Sequence, residues 1–315
     1  MNIEVKHPVG AQNSAQHPDI GARLMLVVLC LIWGFTWPIL KLALESIPPL
    51  SLRTCSLGLG AATLYLVCLV MRRSVRVTTA KAWAHIAIAG VLNVAAFTVL
   101  TSFAQLATTT SRVSILAYTM PIWAVMLAWL FLGERPTLTH WIALGLCGAG
   151  LAVLIYPLTV AGVPLGIVLT LIAAAGWAAG TVYMKWAHIE ADPMAAAFWQ
   201  LVIAFVLVAV CTFAYQGHLE LSGATTVPLL AMLFSGVVGS GIAYGLWFAI
   251  VRRLPAGTAS LGLLSVPVVG VVASMIILGE VPTTADIIGF ALIFAASACV
   301  LLSRRVPPET ASQPT

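Results

Sequence analysis

Ten apolar runs of similar length constrain the fold of this 315-residue chain more than any other feature. A helix that crosses the hydrocarbon core of a bilayer needs about 20 predominantly apolar residues. Dividing the sequence at proline, glycine and charged positions gives ten segments near that length, joined by short connectors. The segments are Leu24–Leu44, Leu50–Met71, Ala82–Leu106, Val113–Leu132, Thr139–Tyr156, Val163–Trp186, Met194–Ala214, Val227–Val251, Thr258–Leu278 and Ala285–Ser303.

The composition is typical of a chain that is solvated by lipid. Hydrophobic residues make up 61% of the sequence and charged residues only 8%, whereas a soluble domain is about half apolar and about a quarter charged. The net charge of +5 comes from basic residues between the runs rather than from one patch, so it indicates membrane topology and no nucleic-acid partner. We expect an all-α integral membrane protein with ten transmembrane helices in a lipid bilayer.

The sequence gives no sign of a metal centre, a cofactor or an enzyme. Its six cysteines each lie inside an apolar run and form no CxxC pair, which favours buried thiols over a zinc or redox site. It also lacks the GxxxxGK[ST] phosphate-binding loop, and this argues against ATP hydrolysis by the chain.

The lysines and arginines predict an orientation. With the N-terminus in the cytoplasm, 12 of the 15 fall on the cytoplasmic side of the runs, and only Lys41, Arg53 and Arg112 fall on the other side. This bias follows the positive-inside rule and places both termini in the cytoplasm. Residues 1–22 and 304–315 are then expected to be cytoplasmic tails.

The sequence also contains an internal duplication. Leu132–Thr137 reads Leu-Gly-Glu-Arg-Pro-Thr, and Leu278–Thr283, 146 positions later, reads Leu-Gly-Glu-Val-Pro-Thr. Pro121 and Pro267 precede the two blocks at the same distance, and a shared fixed offset of this kind indicates a structural repeat. A weaker match lies near the start of each half, where Trp33 and Lys41 pair with Trp177 and Lys185.

The two repeats, residues 23–156 and 163–303, are predicted to have opposite orientations. Each holds five runs, and an odd number makes the second half enter the membrane from the other side. The charges agree, because the connector between the second and third runs carries four basic residues and its counterpart, Tyr215–Thr226, carries none. Inverted halves of this kind can open a midplane site first to one side and then to the other, which favours transport over static packing.

These features resemble the drug/metabolite transporter superfamily, specifically transporters with two EamA-type domains. The resemblance rests on the ten spans, on Trp33-Gly34 with Lys41, and on the two Pro … Leu-Gly-Glu elements that end in Glu134 and Glu280. It covers about residues 24–303. It implies a bacterial inner-membrane carrier, often an exporter of amino acids or other metabolites. It also implies a central cavity lined by the first, third and fourth helices of each half.

Polar and aromatic side chains within the runs are the candidate contacts for a small-molecule substrate. Asn93, Phe97, Thr101 and Gln105 recur every four residues and therefore share one face of a helix. An amide in hydrocarbon needs a partner, and for Asn93 and Gln105 a neighbouring helix and a bound solute are both open. The aromatic residues pack or line the cavity wall. The predicted substrate-binding residues are Trp33, Trp37, Asn93, Phe97, Gln105, Tyr118, Trp177, Tyr183, Tyr244 and Trp247.

Charged side chains lie at the ends of the runs rather than at their centres. No Asp, Glu or His lies in the middle of a run; Glu134, Glu280 and Asp286 lie near predicted helix ends, as do Lys41 and Lys185. The absence of a central charge favours a neutral, zwitterionic or partly apolar solute. Coupling through the end carboxylates and uncoupled facilitation or exchange both remain open.

The favoured function is a secondary transporter that exports a small organic metabolite, such as an amino acid, by alternating access. One alternative is a channel-like facilitator of the same architecture. Another is a non-transport membrane scaffold, which would need a cluster of His, Asp and Glu at one membrane face that the sequence lacks. The GxxxG motifs at Gly176/Gly180 and Gly241/Gly245 permit either internal packing or a homodimer.

Overall fold

The computed structural model describes residues 20–156, 165–254 and 262–302, and within these ranges the chain is helical, with no strand. The first eight helices are long and apolar enough to cross a membrane, and two shorter apolar helices follow. The predicted ten-helix membrane fold is therefore confirmed. The helices are α1 (Ile20–Leu44), α2 (Pro49–Val70), α3 (Ala80–Ala107), α4 (Thr110–Leu132), α5 (Leu138–Ile155), α6 (Leu165–Ala187), α7 (Pro193–Gln216), α8 (Thr226–Val251), α9 (Ser265–Leu278) and α10 (Thr284–Leu302).

The two terminal tails predicted from the sequence fall almost entirely outside the described residues. The outer surface of the helices carries large exposed apolar side chains, such as Leu66, Val210 and Ile276. An apolar surface of this extent is typical of a protein that contacts lipid. The chain is thus a multi-pass membrane protein.

The duplicated Leu-Gly-Glu blocks form the same helix end twice. Gly133 ends α4 with a φ of 69°, and Gly279 ends α9 with a φ of 66°. Only glycine adopts this left-handed conformation without a steric cost. The amides of Glu134 and Glu280 then bond to carbonyl oxygens six residues earlier, at 3.3 and 3.4 Å. The sequence repeat is therefore a repeat of local structure.

The third helix of each half contains a π-helical segment at a matching position. The segments are Gly90–Ala96 in α3 and Val237–Ile242 in α8. Their last residues are separated by 146 positions, the same offset that relates the two Leu-Gly-Glu blocks. π-Helical turns are rare and are found frequently at functional sites. Their occurrence in both halves makes α3 and α8 candidates for the helices that form the functional site.

The fourth helix of each half is interrupted just before its proline. A turn at Tyr118–Thr119 breaks α4, and a turn at Leu264 directly precedes α9. Pro121 and Pro267 follow three residues after Tyr118 and Leu264. A proline removes one intrahelical hydrogen bond and crowds the carbonyl four residues earlier, which explains a break at each of the two positions.

The helices of the two halves pack against one another in a pseudo-two-fold symmetric pattern. Two helices pack on their own repeat counterparts, α2 on α7 and α5 on α10. The first helix of each half instead packs in the other half: α1 contacts α8 and α9, and α6 contacts α3 and α4. Glu280 follows the end of α9 and contacts the start of α4, so α4 and α9 run in opposite directions. The repeat is inverted, as predicted.

Both GxxxG motifs face helices of the same chain. A Cβ atom at Gly180 would collide with the Asn93 side chain on α3, and one at Gly241 would collide with Thr63 on α2. Small residues at these positions let two helices approach closely. The internal-packing interpretation of the motifs is confirmed, and the homodimer stays a prediction.

Candidate functional site

Two ends of the bundle are distinguished by their polar contacts. We call the end that holds Lys41, Thr110 and Glu280 the Glu280 face, and the end that holds His85, Glu134 and Lys185 the Glu134 face. The antiparallel helices connect one face with the other.

Four of the predicted site residues meet between α1, α4 and α8. The centroid of the Trp33 ring lies 6.4 Å from that of Tyr244 and 6.2 Å from that of Trp247. Tyr118 packs against the buried apolar residues that Trp33 and Trp247 also contact. The indole Nε1 of Trp33 donates to the backbone oxygen of Gly239 at 3.2 Å. Because Gly239 belongs to the π-helical segment of α8, the aromatic cluster contacts the distorted part of that helix directly.

A second group lies nearer the Glu280 face, between α1 and α3. The rings of Trp37 and Phe97 meet edge to face at 6.5 Å. The Gln105 amide nitrogen donates to the backbone oxygen of Trp37 at 3.1 Å. Gln105 is fully buried, and its side-chain oxygen has no hydrogen-bond partner among the described residues. This orphaned acceptor distinguishes Gln105 from an ordinary packing amide, since a buried polar atom normally finds a partner.

Asn93 lies in the π-helical segment of α3 and packs between α6 and α7. Its amide nitrogen lies 3.5 Å from the Gln200 side-chain oxygen and 3.6 Å from the Met184 sulfur. Its oxygen is buried without a hydrogen-bond partner among the described residues and faces Gly180. The nitrogen of this amide therefore has polar neighbours on α6 and α7, whereas its oxygen has no hydrogen-bond partner in the described ranges.

Tyr183 belongs to a third group, at the Glu134 face. Its hydroxyl pairs with His85 Nδ1 at 2.6 Å, and its ring lies 5.8 Å from that of Trp186. Sequence reasoning left out His85, although this residue lies inside the third apolar run, three positions from its start. Trp177 lies half-buried on α6. The structure thus divides the predicted residues among separate groups along the bundle.

A carboxylate from the second half binds the start of α4 at the Glu280 face. Glu280 accepts hydrogen bonds from the backbone nitrogens of Thr110 and Ser111, at 2.6 and 2.9 Å, and from the Ser111 hydroxyl at 2.6 Å. The N-terminus of a helix favours an anion because its amides are unpaired and its dipole is positive there. Beside this contact, Arg112 pairs with Asp286 at 2.6 Å. These contacts join the two halves at this face.

The repeat counterpart of Glu280 has a different environment. Glu134 forms an ion pair with Lys185, and both side chains are about half exposed, at 51% and 56%. Glu280 is only partly accessible and its carboxylate is engaged by α4. The two glutamates are equivalent in the repeat, but Glu280 is bound by the start of α4 whereas Glu134 has only an exposed ion pair.

Arg53 is the most buried cation among the described residues, with 8% of its surface exposed. Its Nε donates to the Ser102 hydroxyl at 2.5 Å, joining α2 to α3. Sequence reasoning counted Arg53 only as a topology signal. A more specific signal was present, because Arg53 lies three residues inside the predicted run Leu50–Met71, and charges within membrane segments are usually functional.

Two cavities in the described part of the chain are small or peripheral. One of about 10 Å³ lies beside Tyr118, Pro267 and Ser297, which leaves room for about one water molecule. Another of about 140 Å³ lies near the ion pair of Arg73 with Asp192 and is also lined by Arg252.

Comparison with known proteins identifies the family. The profile of the EamA-like transporter family matches residues 21–156 and 164–302. The uncharacterized transporter YoaV of Bacillus subtilis is 26% identical over 280 residues, which cover 87% of this chain and 94% of that protein. A probable terminal-alkyne amino-acid exporter of Streptantibioticus cattleyicolor is 27% identical, over 89% of this chain and 92% of that protein.

Two further comparisons agree with this result. A probable amino-acid metabolite efflux pump of Escherichia coli K12 is 25% identical over 87% of this chain and 91% of that protein. A solved crystal structure of another protein, 22% identical, superposes with a TM-score of 0.62 over 91% of this chain and 99% of that chain, which shows a shared fold. Because the family profile covers both five-helix repeats, the chain belongs to the EamA-like transporter family.

Proposed function

We propose that the protein is a secondary transporter that exports a small organic metabolite, such as an amino acid, by alternating access. The proposal includes the orientation predicted from the basic residues, with both termini in the cytoplasm of a bacterial cell and the Glu134 face on the cytoplasmic side. Two relatives whose names describe amino-acid export or efflux support this direction and this class of solute.

The observation that carries the proposal is the unequal binding of the two equivalent glutamates. In an alternating-access protein built from inverted repeats, each conformation closes one face and opens the other, so equivalent residues differ in their surroundings. Glu280 is bound by three hydrogen bonds from α4, whereas Glu134 has an exposed ion pair. This asymmetry matches a conformation that is closed at the Glu280 face.

Counterflow in proteoliposomes tests the proposal. The full chain is purified and reconstituted, the vesicles are loaded with an unlabelled amino acid, and the uptake of a trace of the same labelled amino acid is followed. A carrier gives a saturable, transient accumulation of label, because the unlabelled solute inside competes with the label that has entered for the sites that carry it out. Protein-free vesicles serve as the control.

The other outcomes separate the alternative functions. Rapid flux that does not saturate and shows no counterflow would indicate a channel-like facilitator. An absence of flux across a panel of amino acids and other small metabolites would overturn the assignment as a transporter of this class.

A further inference from the structure

Arg53 presents a buried charge without an anionic partner in the described ranges. Its one hydrogen bond goes to a neutral hydroxyl, that of Ser102. Of the carboxylates at the same end of the bundle, Glu280 is bound by α4 and Asp286 by Arg112. The other two, Glu45 and Glu220, are exposed in the connectors after α1 and α7. A buried cation is costly unless it is paired, and an ion supplied from outside the chain would provide the missing partner.

A second unpaired group lies one helical turn away on the same helix. Ser102, the partner of Arg53, and Gln105 are three positions apart on α3 and therefore share a face. The side-chain oxygen of Gln105 is buried with no partner among the described residues, while its backbone oxygen accepts from Lys41 Nζ. We call these four residues, Lys41, Arg53, Ser102 and Gln105, the polar layer.

The polar layer matches both charges of a zwitterion. It offers a guanidinium, which suits the two oxygens of a carboxylate, and an orphaned amide oxygen, which can accept only from a donor such as an ammonium group. The Trp37 backbone oxygen accepts from the Gln105 amide nitrogen, and the Trp37 ring meets Phe97, which lies eight residues before Gln105 on α3. An aromatic pair at this position suits an apolar side chain.

We infer that the polar layer binds the transported solute, and that this solute is an α-amino acid with an apolar side chain. The guanidinium of Arg53 binds the carboxylate, Gln105 Oε1 accepts from the ammonium group, and the pair of Trp37 and Phe97 contacts the side chain. The inference rests on the proposed transport function and names its substrate class. It also gives a functional role to Arg53, which the sequence analysis counted only as a topology signal.

Binding to the purified full chain in nanodiscs tests the assignment without any flux measurement. The probes are L-phenylalanine, L-leucine and L-methionine, together with L-phenylalaninamide, which lacks the carboxylate, and 3-phenylpropionate, which lacks the ammonium group. The readout is the shift in unfolding temperature with ligand concentration, because a ligand that binds the folded state raises the apparent stability. We expect at least one of the three amino acids to raise the unfolding temperature, and the amide to have no effect.

The variants separate a binding role from a structural one. Arg53→Gln should weaken amino-acid binding at least tenfold, and Gln105→Leu should weaken amino-acid binding without weakening that of 3-phenylpropionate. Arg53→Lys keeps the charge and should retain part of the affinity, which tests the charge even if Arg53→Gln folds poorly. Arg76→Gln removes an exposed arginine and should bind as the parent does.

Failure of this inference is distinguishable from failure of the proposed function. If the parent binds none of the three amino acids, or if Arg53→Gln and Arg53→Lys both bind like the parent, the polar layer is not the site. Saturable counterflow of some other metabolite would then leave the transport function standing. An absence of all flux would instead refute the transport function itself.

Discussion

Replacing Glu280 by glutamine tests whether its contacts hold the Glu280 face closed. In the structure the carboxylate receives three hydrogen bonds from the start of α4, two of them on Oε2 from Ser111. Glutamine keeps one acceptor oxygen but replaces the other oxygen by an NH₂ group. That group is a donor. If the amide oxygen faces Ser111, it keeps both hydrogen bonds from that residue, and the NH₂ group meets the backbone N–H of Thr110, which is also a donor. At least one of the three hydrogen bonds is therefore lost, and the other two lose their charged acceptor.

The expected effect is large enough to change the conformational equilibrium. A hydrogen bond to a charged group contributes about 1.5–3 kcal/mol, so the loss of the one from Thr110 destabilises the contact by about that amount. Glu280 is partly accessible, so we take about 2 kcal/mol as the free energy by which the substitution destabilises the closed state. This free energy corresponds to an increase of about 30-fold in the open population.

Thr110 provides a reporter for that population. Its side chain is fully buried, and its hydroxyl has no hydrogen-bond partner among the described residues, so Thr110→Cys should perturb the closed state little. In a chain whose six native cysteines are replaced, the reaction of this cysteine with a polar maleimide requires opening of the Glu280 face. We expect Glu280→Gln to raise the labelling rate of purified protein about 30-fold.

The equivalent residue in the other repeat supplies the control. Glu134→Gln removes an exposed ion pair, which is worth about 0.2–1 kcal/mol, and it acts at the opposite face. The labelling rate of Thr110→Cys should therefore not increase. Equal rates in the parent and in Glu280→Gln, or equal acceleration by both substitutions, would refute the argument that the Glu280 contacts close this face.

Three further substitutions test separate parts of the structure. Asp286→His keeps a side chain that caps α10 but removes the ion pair with Arg112, and it should raise the labelling rate of the same reporter at least about tenfold. Gly180→Ala introduces a collision with the amide oxygen on α3 and should lower the free energy of unfolding by about 1–3 kcal/mol, whereas Gly145→Ala, which has open space around it, should not; thermal unfolding in detergent compares the two. Trp33→Phe removes the hydrogen bond to the π-helical segment of α8 and should cost about 1 kcal/mol in the same assay, and an unchanged melting temperature would contradict that role.

Much of the architecture was predictable because it follows from chain-wide periodicity. Hydrophobic length predicted most of the described helix ends to within a few residues. A shared offset of 146 positions predicted the repeat, and the odd number of runs in each half predicted its inversion. Local features that depend on hydrogen-bond geometry were not predictable. The π-helical segments at Gly90–Ala96 and Val237–Ile242 contain no proline. The repeat pairs Gly90 with Gly236 at their start, but glycine is frequent in membrane helices, so the sequence alone does not mark the segments.

The candidate site was predictable only in part, for a physical reason. Spacing along one helix placed Asn93 and Gln105 on one face of α3, whereas in the structure Asn93 faces α6 and α7 and Gln105 faces α1. Spacing also could not show which atoms of the two amides find partners on other helices. That information exists only after packing, when Trp37 binds the nitrogen of Gln105 and leaves the oxygen unbonded. The same limit applied to Arg53. Its burial depends on the packing of α2 against α3, and spacing within α2 does not reveal that packing.

Sequence differences between the two repeats explain why the two halves make more polar contacts at the Glu280 face than at the Glu134 face. Thr137 and Thr283 precede α5 and α10, and their amides bond to His140 and Asp286, each at 3.0 Å. Both residues therefore cap a helix, but only Asp286 adds a carboxylate, and that carboxylate also pairs with Arg112.

The repeat counterpart of Arg112 is Thr258, which lies outside the described residues and carries no charge. Residue identity alone therefore prevents the second repeat from forming the same ion pair at the Glu134 face. Under the alternating-access mechanism proposed above, only the conformation closed at the Glu280 face gains this ion pair, and we expect that conformation to be favoured. With the orientation proposed above, the resting protein would present its open side to the cytoplasm, where a solute destined for export has to be bound.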